Sequence, residues 1–319
     1  MVITYILFAV GIYLLVKSAD WIVDSSSSLA KKWGVSSLII GLTVVAFGTS
    51  LPELVVNLFA AFEGVAEVSF GNIIGSNIAN ILLVLGITAM ISNVKVKYST
   101  IWNEIPLALL AVFVLFLLTS KIFFESQSQF LTRIDGLVLL SFFVMFLYYV
   151  YQMSRKDKKL LDLPGGVGES NWTIGWKLTL GLVGIYLGGQ WVVGGAVFMA
   201  EQLGLSAYLI SATIIAIGTS LPELVVCVVA ALKKNMDLAV GNIVGSNIFN
   251  ILWVLGLVPL INPVRIPEFI GFEIAIMFFV TLLLFVFMFV WSKHSLDKKE
   301  GVAFLVLYLV YISYLIIKG

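Results

Sequence analysis

The chain has 319 residues, is 61% hydrophobic and only 12% charged, with a mean hydropathy of +1.08 and a net charge of +1. Soluble globular domains carry about 25% charged residues, so this composition describes a polytopic membrane protein and offers no basic surface for nucleic acid. The lone cysteine, Cys227, excludes an internal disulfide or thiolate cluster, and the lone histidine, His294, argues against histidine-held zinc or haem.

About 20 apolar residues are needed to cross the hydrocarbon core of a bilayer. By that measure spans fall at 3–22, 36–62, 69–92, 103–121 and 134–153. After a polar stretch, five more fall at 174–200, 206–232, 238–262, 269–291 and 301–317. The first begins almost at Met1 without a small-residue cleavage site and reads as a retained span. The expected fold is an all-α polytopic membrane protein of ten transmembrane helices in one membrane domain. Residues 1–153 form a first five-helix repeat, 154–173 a cytoplasmic linker, and 174–319 a second repeat.

Positive charge orients these spans. Of 19 lysines and arginines, Lys121, Arg133, Arg265 and Lys318 fall on one side and Lys17 lies within the first span; the other fourteen share the opposite side. That side is cytoplasmic, which places both termini outside the cell membrane. Five spans is an odd number, so the second repeat enters the membrane inverted, the design of many secondary transporters.

Two motifs recur 170 residues apart. Gly48-Thr49-Ser50-Leu51-Pro52-Glu53 returns as Gly218-Thr219-Ser220-Leu221-Pro222-Glu223. Gly71-Asn72-Ile73-Ile74-Gly75-Ser76-Asn77, leading to Asn80, returns as Gly241-Asn242-Ile243-Val244-Gly245-Ser246-Asn247, leading to Asn250. Carboxylates, hydroxyls and amides inside apolar spans are expensive and by default mark a site. Proline removes one amide donor and displaces the carbonyl four residues back, so the second and seventh spans are expected to break there and expose main-chain oxygens. Thr49 or Ser50 shares a helix face with Glu53 at four- or three-residue spacing, and Ser76 stands likewise with Asn80. The second copy repeats this with Thr219, Ser220, Glu223, Ser246 and Asn250. Gly71 and Gly75, like Gly241 and Gly245, have the spacing that lets helices approach closely.

A single intramembrane proline or Gly-x-x-x-Gly is ordinarily a kink or a packing feature. Two glutamates with matched broken-helix and polar-helix sequences in inverted halves point instead to a hard-oxygen cation site, suited to Na⁺ or Ca²⁺ rather than soft metals. Glu53 and Glu223 supply a charge of −2, which one Ca²⁺ neutralises. Na⁺ spread over adjacent subsites uses the same ligands, and mutually exclusive occupancy is what an antiporter needs. A channel or ion receptor has no need of two matched gates. No nucleotide loop, nucleophile–base pair or cofactor motif indicates an enzyme.

These motifs resemble the two α-repeats of the cation/Ca²⁺ antiporter superfamily, in its sodium/calcium exchanger branch, which has prokaryotic members; the match covers about 41–91 and 211–261. The resemblance implies broken second, third, seventh and eighth helices, with the first and sixth sliding across them. It implies exchange of three Na⁺ for one Ca²⁺, with no cofactor beyond the transported ions. Carried onto this sequence, Glu53 and Glu223 ligate Ca²⁺ with the carbonyls of Thr49 and Thr219. Flanking Na⁺ sites use the Ala46 carbonyl, Ser50, Glu53 and Ser246 on one side, and the Ala216 carbonyl, Ser220, Glu223 and Ser76 on the other. Asn80 and Asn250 border the centre. Asn250 stands where several prokaryotic members and the potassium-dependent ones resemble one another in having Asp and animal potassium-independent members have Asn, while proton-coupled members tend to place Glu at both asparagine positions. An amide neither gains nor loses a proton at physiological pH. Na⁺ coupling without K⁺ is therefore expected, with H⁺-coupled divalent exchange as the alternative. Glu104, Asp20, Asp24, Asp135 and Glu273 read as structural or span-end groups, and Glu63 and Glu67 as a solvated outer loop.

Overall fold

The computed structural model describes residues 2–63, 68–120, 130–160, 169–203, 216–267, 270–290 and 294–318. Long apolar runs of good helix formers leave the backbone one way to satisfy its polar groups in lipid, the helix, and nearly every described residue is helical. Helix α1 covers Val2–Trp33. A stretch follows of α2 (Ser37–Ile40), a π-helical turn (Gly41–Val45) and α3 (Ala46–Thr49), and α4 (Leu51–Phe62) departs from it at 42°. Next come α5 (Val68–Ala79), a π turn (Asn80–Leu85) and α6 (Gly86–Ile91), and then α7 (Tyr98–Trp102), α8 (Glu104–Thr119) and α9 (Arg133–Leu160). The other half holds α10 (Asn171–Gln202), α11 (Ala216–Gly218), α12 (Leu221–Leu232) and α13 (Met236–Ile248). A π turn (Phe249–Val254), α14 (Leu255–Ile261), α15 (Ile270–Phe287) and α16 (Lys298–Lys318) complete it.

Among the described residues, eight continuous helical stretches are long and apolar enough to span a membrane, nine with the bent pair. The protein is a polytopic helical membrane protein. The expected span 206–232 falls partly on residues outside the described set, as do Glu67, Lys121 and the Pro164-Gly165-Gly166 part of the linker. The third and eighth spans differ from expectation. Ser69–Ile91 and Met236–Ile261 run unbroken, each with a π turn where a break was implied. A single widened turn re-aims a few backbone groups while neighbouring turns keep their bonds, at less cost than a full break.

Polarity decides who sits inside. In the third and eighth spans, which carry the Asn/Ser motif, 78% and 83% of the window is buried, against 22–44% for the six others. Polar groups seek protein rather than lipid, so the motif helices form the centre and the uniformly apolar ones form the rim. Glycine sets the closeness of that centre. A Cβ on Gly41 would lie 2.7 Å from the Leu238 carbonyl, and one on Gly241 would lie 2.6 Å from the Leu38 carbonyl. The two halves therefore cross backbone to backbone. Gly245 packs the same way on Leu42 and Ala46.

Two antiparallel clasps of two residues each tie the halves together. β1 (Val94–Lys95) pairs with β4 (Ser295–Leu296), and β2 (Phe130–Leu131) with β3 (Val264–Arg265). Each joins the end of one half's motif helix to a loop of the other half. His294 turns the chain into β4 at φ 60°, its ring edge-on to Tyr98.

Candidate cation site

The site begins at the two breaks. Ser50 (φ −86°, ψ 3°) and Ser220 (φ −89°, ψ 3°) stand between helices, and Pro52 and Pro222 follow in the first turn of α4 and α12, where a missing N–H costs nothing. Their missing donors leave the carbonyls of Gly48 and Gly218 without the usual partner. Glu53 and Glu223 thereby sit in the first turn of a helix, whose unpaired N–H groups favour negative charge. The breaks differ in detail. The Ser50 amide donates to the Ala46 carbonyl at 3.0 Å, whereas the Ser220 amide donates one residue nearer, to Ile217, at 3.1 Å. The Ala46 carbonyl also accepts from the Thr49 hydroxyl at 3.4 Å.

Both glutamates are fully buried. Among the described residues no lysine, arginine or histidine pairs with either. Among the described residues, none donates a well-formed hydrogen bond to any of the four carboxylate oxygens. The Ser76 hydroxyl lies beside Glu53, those of Thr49 and Ser246 lie beside Glu223, and the two carboxylates are near enough to repel. Each serine bridges the halves: Ser246 meets Thr49 at 3.2 Å and Ser76 meets Thr219 at 3.2 Å. The resemblance groups Ser246 with Glu53 and Ser76 with Glu223; here each serine lies beside the other glutamate, Ser76 by Glu53 and Ser246 by Glu223, and bonds a threonine of the opposite repeat.

Ser50, Ser220, Asn80 and Asn250 complete the set. All four are buried, and the two serine hydroxyls and the two amide oxygens lack protein partners. Buried polar atoms are ordinarily satisfied. Eight side-chain oxygens, of two carboxylates, two hydroxyls and two amides, are thus buried here without a hydrogen-bond partner among the described residues. Among the described residues no group of three or more His, Cys, Asp or Glu side chains is assembled. Two carboxylates with neutral oxygens suit a hard cation that binds and leaves.

The sequence motifs also contain residues to which spacing assigns no role. The Asn242 side chain accepts from Thr49 Oγ1 at 3.0 Å and donates to the buried Cys227 Sγ at 3.5 Å. Asn57, at the position matching Cys227, donates to the Glu53 carbonyl at 2.7 Å. Asn77 and Asn247 bond across the centre to the opposite half. Recurrence of Gly-Asn and Ser-Asn in both motifs is the available signal for Asn242, Asn77 and Asn247; Asn57 has no counterpart and leaves none.

Outside the site, Glu104 is fully buried and bonded by the Tyr149 hydroxyl. Asp135 accepts from the Thr132 amide at 2.7 Å, a cap at the start of α9. Asp20 and Asp24 of α1 grip Lys233, at 2.5 and 2.7 Å, in the loop after α12.

The family model described as sodium/calcium exchanger protein matches residues 3–152 and 174–317. The chain is 31% identical to the sodium/calcium exchanger MaX1 of Methanosarcina acetivorans, covering 99% of this chain and 98% of MaX1. It is 37% identical to the inner membrane protein YrbG of Escherichia coli, covering 81% and 79%. Among solved structures, the sodium-calcium exchanger NCX_Mj soaked with zero Na⁺ and Ca²⁺ aligns at a TM-score of 0.81 and 33% identity, over 98% of this chain and 99% of that one.

Proposed function

The chain belongs to the sodium/calcium exchanger family, and from that premise we propose that this cation/Ca²⁺ antiporter couples Ca²⁺ to Na⁺ without K⁺, moving one net charge per cycle. Ala46, Thr49, Ser50, Glu53, Ser76 and Asn80, with Ala216, Thr219, Ser220, Glu223, Ser246 and Asn250, hold the ions in turn. The scaffold in this reading is ten helices in two inverted repeats, 1–153 and 174–319, joined by a cytoplasmic linker, with both termini outside the cell membrane. Na⁺ and Ca²⁺ are substrates, and no resident cofactor or enzymatic turnover is invoked.

One observation carries the reading: two buried carboxylates with no cationic partner among the described residues, with the Ser50, Ser220, Asn80 and Asn250 oxygens also buried and unpaired. Burying such a pair costs several kcal/mol unless compensated. Ca²⁺, with its 6–8 oxygen ligands, or Na⁺ ions in adjoining subsites supply the compensation. Asn80 and Asn250 add oxygens but no titratable proton, which favours Na⁺ over H⁺ as the counter-ion. The relatives MaX1 and NCX_Mj, both called sodium/calcium exchangers, lend support.

Uptake of ⁴⁵Ca²⁺ into Na⁺-loaded proteoliposomes tests this. Uptake is expected with an outward Na⁺ gradient, unaltered by K⁺. An inside-positive potential accelerates it, because net positive charge leaves, with up to about 2.3 kcal/mol available per 100 mV. Uptake driven by a pH gradient and indifferent to Na⁺ would replace Na⁺ with H⁺.

A further inference from the structure

The four asparagines at the centre form a reciprocal circuit. Asn77 Nδ2 donates to the main-chain carbonyl of Asn247 at 3.2 Å, and Asn247 Nδ2 donates to that of Asn77 at 3.3 Å. Asn80 Nδ2 donates to Asn247 Oδ1 at 3.0 Å, and Asn250 Nδ2 to Asn77 Oδ1 at 3.1 Å. All four residues are at most 5% exposed. The circuit fixes every amide. A main-chain carbonyl only accepts, so Asn77 and Asn247 must turn their NH₂ groups to it and their oxygens the other way. Those oxygens only accept, so Asn80 and Asn250 must present NH₂ to them. The oxygens of Asn80 and Asn250 are then the atoms left over, and these two are buried without a partner. The π turn that begins at Asn80 packs against α12, which bears Glu223, and the one containing Asn250 packs against α4, which bears Glu53.

We propose that Asn77 and Asn247 are positioning residues: by clamping the amides of Asn80 and Asn250 from the opposite half, they force two amide oxygens, not two NH₂ groups, to face the cation. This rests on the cation-binding reading above. An unclamped asparagine turns over freely, and a flipped one would aim two N–H donors at a site built to attract positive charge. The crossed connectivity also makes the aim of each half's asparagine depend on the other half's seating, so the oxygens converge only when the repeats are fully apposed.

A double-mutant cycle separates positioning from mere packing. Purified full-length protein carrying Asn247→Leu, Asn80→Ala, or both is titrated with Ca²⁺, Sr²⁺ and Na⁺, with affinity read from cation-dependent thermal stabilisation and ⁴⁵Ca²⁺ binding. Asn247→Leu is expected to weaken Ca²⁺ binding about tenfold, and to cost almost nothing further once Asn80 is alanine. The mirror cycle, Asn77→Leu with Asn250→Ala, is expected to behave alike. Should a leucine variant fail to fold, Asn247→Ser or Asn77→Ser, which remove the clamp with a smaller polar side chain, replaces it. Additive losses in both cycles would overturn the clamp while leaving the cation site standing. Wild-type protein that binds none of the three cations would overturn the clamp and the functional reading together.

Discussion

Glu53 and Glu223 are the two residues whose chemistry is least satisfied by the protein around them, and that imbalance makes a specific prediction. Replacing either with Gln removes a charge that only a cation compensates. The Glu53→Gln and Glu223→Gln proteins are expected to lose exchange by at least about a hundredfold and still insert and fold. Their apo forms are expected to be no less stable than wild type, because an uncompensated buried charge has gone. Cation-dependent stabilisation, about 2.7 kcal/mol for a ligand at a hundred times its dissociation constant, is expected to vanish or fall sharply in thermal unfolding. Normal Ca²⁺ protection in either variant would remove that carboxylate from the site. Both glutamates are legible in the amino-acid sequence, because the same six-residue block occurs twice in otherwise apolar spans. Asn77 and Asn247 are visible in the same way, but the sequence gives them no role. Their partners lie about 170 residues away along the chain, and no local spacing reports a contact between halves.

At the scale of helices, the centre depends on glycines that let main chains touch. At Gly241 an added Cβ would press at 2.6 Å on the Leu38 backbone carbonyl, which cannot rotate away. Gly241→Ala is therefore expected to lower stability by about 1–3 kcal/mol, the usual cost of overpacking, measured as a fall in the unfolding midpoint in a fixed cation concentration. An unchanged midpoint would mean that the halves are not apposed there. The breaks in the second and seventh spans are legible from proline and glycine. The π turns at Asn80–Leu85 and Phe249–Val254 are not, since their sequences continue an ordinary apolar helix and the extra residue per turn comes from packing. The β clasps escape for a simpler reason: two residues carry no alternation, and each strand finds its partner in the opposite half.

Taken whole, the molecule pairs a central bundle with a long two-helix unit. Helices α1 and α10 lie against each other through Gly11 and Gly188, whose added Cβ atoms would meet the opposite backbone at 3.0 and 2.9 Å. Along α10, Leu182 covers Gly48 and Val193 covers Gly218, so one helix crosses both breaks. Helix α1 of this unit is held to the bundle by Asp20 and Asp24 gripping Lys233, and Asp24 and Lys233 line a cavity of about 650 Å³. Burial alone would lower the Lys233 pKa, but its two aspartate partners outweigh burial and hold it raised. If α1 slides as the resemblance implies, this clasp must part in each cycle. Asp24→Cys with Lys233→Cys, bridged by a short bifunctional thiol reagent, is expected to stop exchange by more than about tenfold, relative to the unbridged double variant. Undiminished transport in the bridged protein would show that α1 does not move against that loop.

The most direct measurement is a crystal structure of the protein soaked in Ca²⁺, with the ion located by its anomalous scattering. One Ca²⁺ is expected between the halves, about 2.3–2.6 Å from a carboxylate oxygen of Glu53 and from one of Glu223. A Ca²⁺ bound elsewhere, with both carboxylates untouched in protein that still exchanges, would contradict the account.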